Sequence, residues 1–220
     1  MGLSLTFILQ PSPDGLAQSY LLCEGFLAGA PSVLILGDNI FVGQGLTQML
    51  AEADAQTHGG TVFGYQMSDP ERYEVVEFNE NGKVVSIIEK PSYPASNFAV
   101  TGLYFLDGDA PARARSVRPS ARGEMEMTTL LDLDPAEGGP QAHRMGRGYA
   151  WLDTGSDSSF LNAGNFARTL EQGQDLQVGS PEEIALENGW IEREALAAQY
   201  AKNDYGRHLS GLLSHPGVGV

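Results

Sequence analysis

Two aspartates follow apolar runs at points where the chain could present a carboxylate to a ligand. Asp38 comes after Ser32–Leu36 and Gly37 in "SVLILGDN", and Asp153 ends the run "YAWLD" before Thr154. Ligands of α/β sheets bind beyond the carboxyl ends of strands. Mg²⁺ is usually held by one or two carboxylates together with phosphate oxygens. Asp38 and Asp153 are therefore candidate Mg²⁺ ligands, and capping of the next turn or helix is the alternative explanation for each.

Three further side chains are candidates for binding a phosphorylated sugar. Glu89 and Lys90 precede Pro91 in "IIEKP", and Arg122 lies in "SARGE". A lysine ammonium or an arginine guanidinium can hold a phosphate, and a glutamate can accept hydrogen bonds from sugar hydroxyls. Taken singly, each residue also fits an exposed hairpin end or loop, so the alternatives stay open at this point.

Composition excludes several classes of function. The net charge of −15 argues against a nucleic-acid partner, because an acidic surface repels phosphodiester backbones. No apolar run approaches the roughly 20 residues of a membrane-spanning helix. The single cysteine, Cys23, permits no intrachain disulfide and indicates a reducing, cytoplasmic location. The sequence also lacks a G-x-S-x-G, a P-loop and a G-x-G-x-x-G motif after a strand.

The elements that must position these residues alternate between strand and helix patterns. This alternation predicts an α/β fold with a Rossmann-like mixed, mostly parallel sheet. Residues 1–179 are expected to form the main domain, and residues 180–220 a C-terminal helical segment of the same structural unit. Near the two ends of the sequence we expect a strand over Leu3–Leu9, one helix over 16–27 and a last helix over about 192–202. Ser180 and Glu183 are expected to form a capping box.

An ordered set of short motifs resembles the glucose-1-phosphate thymidylyltransferase family. The similarity runs from Gly2 to about Leu209, in the family's order. The matching stretches are "QPSPDGLAQ", "LGDNIF", "DPERY", "VVEF", "EKP", "AVTGLYF", "PSARGE", "MGRGYAWLDTG", "PEEIA" and "KNDYG". The resemblance implies a sugar-nucleotidyltransferase fold. It also implies that dTTP and glucose-1-phosphate are converted to dTDP-glucose and pyrophosphate, for deoxysugar biosynthesis such as that of dTDP-rhamnose.

The resemblance also implies roles for individual residues. It assigns nucleotide binding to Gln10, Pro13, Gly15, Leu16 and Asp38. It assigns sugar-phosphate binding to Glu89, Lys90, Val100, Tyr104, Arg122 and Trp151. Lys90 and Arg122 would be catalytic, Asp38 and Asp153 would bind Mg²⁺, and the chain would form a homo-oligomer, typically a tetramer.

The chain departs from the family's pattern in three places. The family's first strand and Gly-rich triphosphate loop have no counterpart, and their loss is expected to leave apolar surface and strand edges uncovered. Glu74 in "RYEVVEF" stands where the family has glycine, and Thr129 replaces an acid. Two hypotheses follow: a thymidylyltransferase, or an inactive truncated remnant that binds sugar nucleotide or associates with intact family subunits.

Overall fold

The computed structural model describes residues 3–133, 139–174, 177–197 and 204–214, and the chain divides into two compact units. The larger unit is Phe7–Trp151, and the smaller unit combines Met1–Thr6 with Leu152–Val220. The sequence suggested a boundary after residue 179, whereas contacts divide the chain after Trp151. The division into residues 1–179 and 180–220 stays a prediction.

A six-stranded sheet organises the larger unit. Its strands are β1 (Ser32–Ile35), β3 (Gly60–Gln66), β4 (Glu74–Phe78), β5 (Val84–Glu89), β6 (Phe98–Leu106) and β7 (Gln141–Met145). Their spatial order is β5-β4-β6-β3-β7, with β1 also paired to β6. Two further strands, β2 (Asn39–Gly43) and β8 (Tyr149–Asp153), pair in a separate two-stranded sheet.

The six-stranded sheet is mixed, as predicted. Strand β6 runs antiparallel to β1, β3 and β4, and β7 runs parallel to β3. Strands β1, β3, β4 and β7 therefore point the same way. Because β6 is inserted among them and β4 pairs antiparallel with β5, the hydrogen-bonded neighbours of the described strands are mostly antiparallel. Most strands of the sheet run in one direction, as a mostly parallel sheet requires. The hydrogen-bonded pairs are nevertheless mostly antiparallel, which differs from the expectation.

Strand β6 is covered on both faces, because its sequence "FAVTGLYFL" is almost entirely apolar. One face packs Val100, Tyr104 and Leu106 against residues of α1 (Gln18–Leu22), α4 (Ala110–Ala114) and α5 (Met127–Asp132). The other face packs Leu103 and Phe105 against β3 and α3 (Leu46–Asp54). The two core clusters fix β6 at the centre of the sheet.

Two predicted elements around β1 differ from the structure. The helix expected over residues 16–27 is two short helices, α1 and α2 (Glu24–Leu27), because Cys23 adopts a non-helical φ of −90° and ψ of 0° between them. The strand expected over Leu3–Leu9 is wrong, since those residues form no strand. Alternating apolar residues extend as a strand only when a neighbour pairs with them.

Apolar side chains are exposed on β1 and at Phe7. In the described part of the chain, β1 pairs with β6 alone. The side chains of Val33 and Ile35 are 43% and 59% exposed, and Phe7 is 94% exposed.

Helices dominate the smaller unit. They are α6 (Asp157–Gln174), α7 (Pro181–Glu187), α8 (Arg193–Ala197) and α9 (Asp204–Ser214). The capping box is wrong, because the Ser180 hydroxyl makes no cap bond and lies 3.3 Å from the Tyr205 hydroxyl. Helix α9 was not predicted, and the expected helix over 192–202 runs into residues outside the described ones. Among the described helices, none is long and apolar enough to cross a membrane.

Candidate functional site

The predicted nucleotide-binding segment is held against the backbone at Met125. Gln10 Nε2 donates to the Gly15 carbonyl at 3.2 Å. Gly15 has φ of +107°, and a Cβ there would collide with Met125, so only glycine fits. Backbone bonds join Met125 N to Asp14 O at 2.7 Å and Ala17 N to Met125 O at 3.1 Å.

The structure therefore brings part of the predicted nucleotide segment next to the stretch that carries Arg122. Pro13 and Leu16, the other two predicted members of the segment, are exposed to solvent. The two stretches are adjacent because of tertiary hydrogen bonds that sequence patterns cannot show.

Arg122 is the centre of a carboxylate network. Its Nη2 lies 2.9 Å from Glu89 Oε1, 3.2 Å from Glu124 Oε2 and 3.1 Å from Glu126 Oε2. Ser120 Oγ donates to Glu126 Oε1 at 2.7 Å. Burial acts to lower the pKa of Arg122, but the hydrogen bond to Glu126 and the nearby carboxylates raise it. The guanidinium is therefore a fixed cation.

Lys90 lies beside Arg122 in an unusual backbone conformation. Its φ is +40°, which a residue with a Cβ rarely adopts. Its backbone N–H donates to the Tyr73 carbonyl at 3.1 Å, and its Nζ lies 3.7 Å from Glu89 Oε1. Strained backbone of this kind concentrates at ligand-binding sites. Glu89, Lys90 and Arg122, predicted from separate motifs, thus form one cluster.

A buried glutamate completes this cluster. Glu74 pairs directly with Glu89 across the β4–β5 hairpin and is only 7% exposed. Burial, followed by the charge of Glu89, raises its pKa to about 8. The pKa values of Glu89 and Tyr104 are also raised, in both cases mainly by burial. Tyr104 was expected to line the sugar side, and its ring lies in the core with its hydroxyl interacting with Glu74.

A second group of side chains surrounds the start of β2. Asn39 Nδ2 donates to Asp38 Oδ1 at 2.7 Å. Asn39 Oδ1 accepts from Trp151 Nε1 at 2.6 Å and from the Gly102 N–H at 3.1 Å. Asn39 therefore links Asp38 to the predicted sugar-side residue Trp151. The Trp151 ring contacts the Tyr65 and Tyr73 rings edge-on, with centroids 5.8 and 5.0 Å away.

The predicted metal ligands belong to different units. Asp38 lies in the larger unit, and Asp153, whose Oδ1 accepts from the Gly155 N–H at 2.9 Å, lies in the smaller unit. The described residues contain no group of three or more His, Cys, Asp or Glu side chains placed to hold a metal ion. Mg²⁺ is commonly held by only one or two protein carboxylates, with phosphate and water completing its shell. The two-aspartate site itself stays a prediction.

Sequence patterns missed three residues of these clusters as contributors to a site. Glu126 alternates with Glu124 shortly after Arg122, which is a weak signal for a shared ion pair. Asn39 follows Asp38 directly, and its amide offers both a donor and an acceptor. Glu74 was noted only as a departure from a motif, and its burial could not be inferred from the sequence.

Comparisons with known proteins decide the family. Residues 1–169 match the nucleotidyl transferase family model. The chain belongs to the nucleotidyl transferase family. Among its relatives in this family, a glucose-1-phosphate thymidylyltransferase of Xanthomonas campestris is 52% identical over 99% of this chain. One from Neisseria meningitidis is 49% identical over 96% of it. In both comparisons the chain spans 75% of the relative's length.

A solved structure agrees with this nucleotidyl transferase assignment. A Bacillus anthracis protein, described as a glucose-1-phosphate thymidylyltransferase and crystallised with sucrose, superposes with a TM-score of 0.69. It is 34% identical to this chain, and the match covers 81% of this chain and 69% of the other. The α/β fold of the sugar-nucleotidyltransferase type, with a helical C-terminal part, is therefore confirmed.

Proposed function

We propose that this protein is a glucose-1-phosphate thymidylyltransferase, which makes dTDP-glucose for deoxysugars such as dTDP-rhamnose. The observation that carries the proposal is the convergence of Glu89, Lys90 and Arg122 beside the segment containing Gln10 and Gly15. A sugar-phosphate cluster next to a nucleotide segment suits a reaction between these two substrates. The names of relatives at about 50% identity support the same reaction.

The reaction is a nucleotidyl transfer. A phosphate oxygen of glucose-1-phosphate attacks the α-phosphorus of dTTP; an oxygen–phosphorus bond forms there, and the bond to the bridging oxygen of the β-phosphate breaks. Pyrophosphate leaves with the electron pair of the broken bond. Such transfers depend mainly on alignment of the substrates and neutralisation of phosphate charge.

Lys90 and Arg122 would supply the fixed cations that hold the sugar phosphate. Arg122 exchanges part of its carboxylate network for the incoming phosphate, whose oxygens match the guanidinium fork. Glu89 would accept hydrogen bonds from glucose hydroxyls. Val100, Tyr104 and Trp151, which are between 3% and 8% exposed, would line the sugar side only through the small exposed part of each side chain. The raised pKa of Arg122 keeps this group charged at any pH of use.

The nucleotide would be held by two segments. Gln10, Pro13, Gly15 and Leu16 would surround the thymine and deoxyribose, with Gly15 allowing the chain to lie close against Met125. Asp38, oriented by Asn39, would face the α-phosphate. Asp38 and Asp153 would hold a divalent ion, proposed to be Mg²⁺, which neutralises phosphate charge when bound.

Product formation tests the proposal. The full chain is incubated with dTTP, glucose-1-phosphate and Mg²⁺, and both pyrophosphate and dTDP-glucose are quantified. We expect both products in equal amounts, a preference for dTTP over UTP, and loss of activity with EDTA that added Mg²⁺ restores. Absence of product at saturating substrates would contradict the proposal; calorimetric binding of dTDP-glucose in that case would favour the inactive remnant.

Two finer statements belong to the same proposal. The chain is proposed to work in the cytoplasm, which its single cysteine supports. It is also proposed to assemble as a homo-oligomer, the tetramer implied by the resemblance. Light scattering coupled to size-exclusion chromatography measures the subunit number directly, and a monomer at micromolar concentration would contradict the assembly.

A further inference from the structure

Glu74 is the buried member of the sugar-phosphate cluster that the proposed mechanism does not use. It begins β4 and lies directly opposite Glu89, the last residue of β5. Its Oε2 atom is buried and has no hydrogen-bond partner. A carboxylate in this position would be costly, because a buried charge needs compensating hydrogen bonds or a counter-ion.

The groups that face Glu74 are mostly acidic. They are Glu89 on β5, the Tyr104 hydroxyl on β6 and Glu126 immediately before α5. The two nearby cations are already engaged, since Arg122 contacts Glu89, Glu124 and Glu126, and Lys90 contacts Glu89. Carboxylates therefore outnumber cations in this cluster, and a further proton is the simplest way to reduce the excess negative charge.

We propose that Glu74 is a positioning residue for the sugar phosphate: its neutral carboxyl donates to Glu89, and the pair binds this substrate only while it holds that proton. Glu74 is covered by protein, so it acts through Glu89 and does not touch the sugar. The Glu74 carboxyl, as a hydrogen-bond donor, fixes the orientation of the Glu89 carboxylate. In that orientation Glu89 can accept hydrogen bonds from glucose hydroxyls. The proton also limits the negative charge that the incoming phosphate meets.

The titration of Glu74 sets where the effect is observed. Its pKa of about 8 means that the carboxyl is neutral at pH 7 and ionised at pH 9. The second pKa of a phosphate monoester is about 6, so glucose-1-phosphate is mostly dianionic throughout this range and its charge changes little. A fall in affinity between pH 8 and 9 therefore reports on the protein.

Calorimetry with glucose-1-phosphate tests the proposal on the full chain. For wild type we expect a Kd that is constant from pH 7 to 7.5 and rises towards tenfold per pH unit above pH 8, because one proton is lost. Glu74→Gln keeps a neutral donor toward Glu89. It should bind within about threefold of wild type at pH 7 and show no rise up to pH 9.

Two further variants separate positioning from a purely structural role. Glu74→Leu is neutral but cannot donate, so its Kd at pH 7 should be at least about tenfold weaker than that of Glu74→Gln. Glu77→Gln changes a half-buried carboxylate on the same strand, bonded to Ser86, and should keep the wild-type pH profile. A pH-dependent rise that persists in Glu74→Gln, or equal binding by the Gln and Leu variants, would overturn the proposal.

A measurement without ligand keeps the test valid if a variant fails to fold. Carbon-13 NMR of labelled glutamate carboxyls in wild type should show one group titrating near pH 8, and its absence would contradict the proposal.

This inference rests on the proposed function, and the outcomes distinguish the two. If wild type makes dTDP-glucose but Glu74→Gln keeps the pH dependence of binding, the inference fails and the function stands. If binding depends on Glu74 as expected but no product forms, the function fails and the inference stands. If wild type does not bind glucose-1-phosphate at any pH, both fail.

Discussion

At the scale of single residues, Arg122 connects more charged groups than any other side chain described in the site. Its guanidinium contacts Glu89, Glu124 and Glu126. The carboxylates hold the guanidinium in place, and the same guanidinium is proposed to bind a phosphate. Arg122 therefore combines a structural role in the carboxylate network with a proposed role in binding.

Replacing Arg122 should separate this role from ordinary surface charge. Arg122→Ala removes charged hydrogen bonds to the phosphate, so kcat/KM for glucose-1-phosphate should fall about 100-fold, mostly through KM. Arg118→Ala is the matched control, because Arg118 is exposed on the same connection. It should remain within about twofold of wild type in steady-state assays. Equal effects of the two substitutions would contradict the assignment.

Glu74 makes stability depend on pH in a direction opposite to that of most carboxylates. Its pKa rises from 4.5 to about 8 on folding. Below pH 4.5 both states hold the proton, and between pH 4.5 and about 8 only the folded state holds it. The free energy of unfolding therefore falls with rising pH across this window, by about 1.4 kcal/mol per pH unit for one proton.

Glu74→Gln should remove this contribution. Urea denaturation at pH 5.5, 6.5, 7.5 and 8.5 measures the slope for wild type and variant. The difference between them should grow with pH in favour of the variant, because glutamine stays neutral. Glu77→Gln should parallel wild type, and a Glu74→Gln variant that also parallels wild type would show that Glu74 ionises normally.

At the scale of elements, the side chain of Asp107 connects the end of β6 to β3 and α4 through hydrogen bonds and an ion pair. Its Oδ2 accepts from the Gly59 N–H at 2.5 Å, and its Oδ1 lies 2.8 Å from Arg113 Nη2 and accepts from the Asp109 N–H at 3.0 Å. Burial acts to raise its pKa, but the bonds from Arg113 and Gly59 lower it. One carboxylate thus ties β6 both to the start of β3 and to α4.

Asp107→Asn should destabilise the larger unit strongly. The substitution leaves the Arg113 charge buried without its counter-ion, a loss of about 3–5 kcal/mol. Asp109→Asn is the control, since Asp109 is exposed at the start of α4 and its side chain makes no cap bond. That variant should lie within about 0.5 kcal/mol of wild type. Chemical denaturation compares them, and a loss below about 1 kcal/mol in Asp107→Asn would contradict the role of the ion pair.

At the scale of the whole molecule, the protein is acidic although it is proposed to bind two anions. The net charge is −15, and the cations proposed to hold the sugar phosphate are Lys90 and Arg122. Long-range repulsion should slow the approach of glucose-1-phosphate at low salt, whereas contacts inside the site are screened less.

Salt should therefore accelerate the reaction. Raising ionic strength from about 0.01 M to 0.15 M shortens the Debye length from about 30 Å to 8 Å, so kcat/KM for glucose-1-phosphate should rise about two- to fivefold. Glu80→Lys, in the exposed hairpin turn, should raise the rate at low salt and change little at 0.15 M. A rate that falls steadily with salt would show that local cations, not the net charge, control approach.

The sequence predicted elements best where the pattern was local. Local patterns account for the hairpin of β4 and β5 with its Asn81-Gly82 turn, for the apolar strand β6 and for helices α3 and α6. The strand over Leu3–Leu9 and the Ser180 capping box were wrong for a shared reason. Their patterns were correct locally, but strand pairing and the contact with Tyr205 depend on residues far along the chain.

By itself the sequence determined the family, the α/β class and the candidates Glu89, Lys90 and Arg122, because these follow from residue types in short ordered motifs. Only the tertiary structure decided that Glu74 lies buried against Glu89 and that Asn39 joins Asp38 to Trp151. Burial and charge coupling arise when the register of β4 and β5 and the packing of α5 bring distant carboxylates together. A carboxylate's preference for its proton therefore depends on neighbours that no linear spacing specifies.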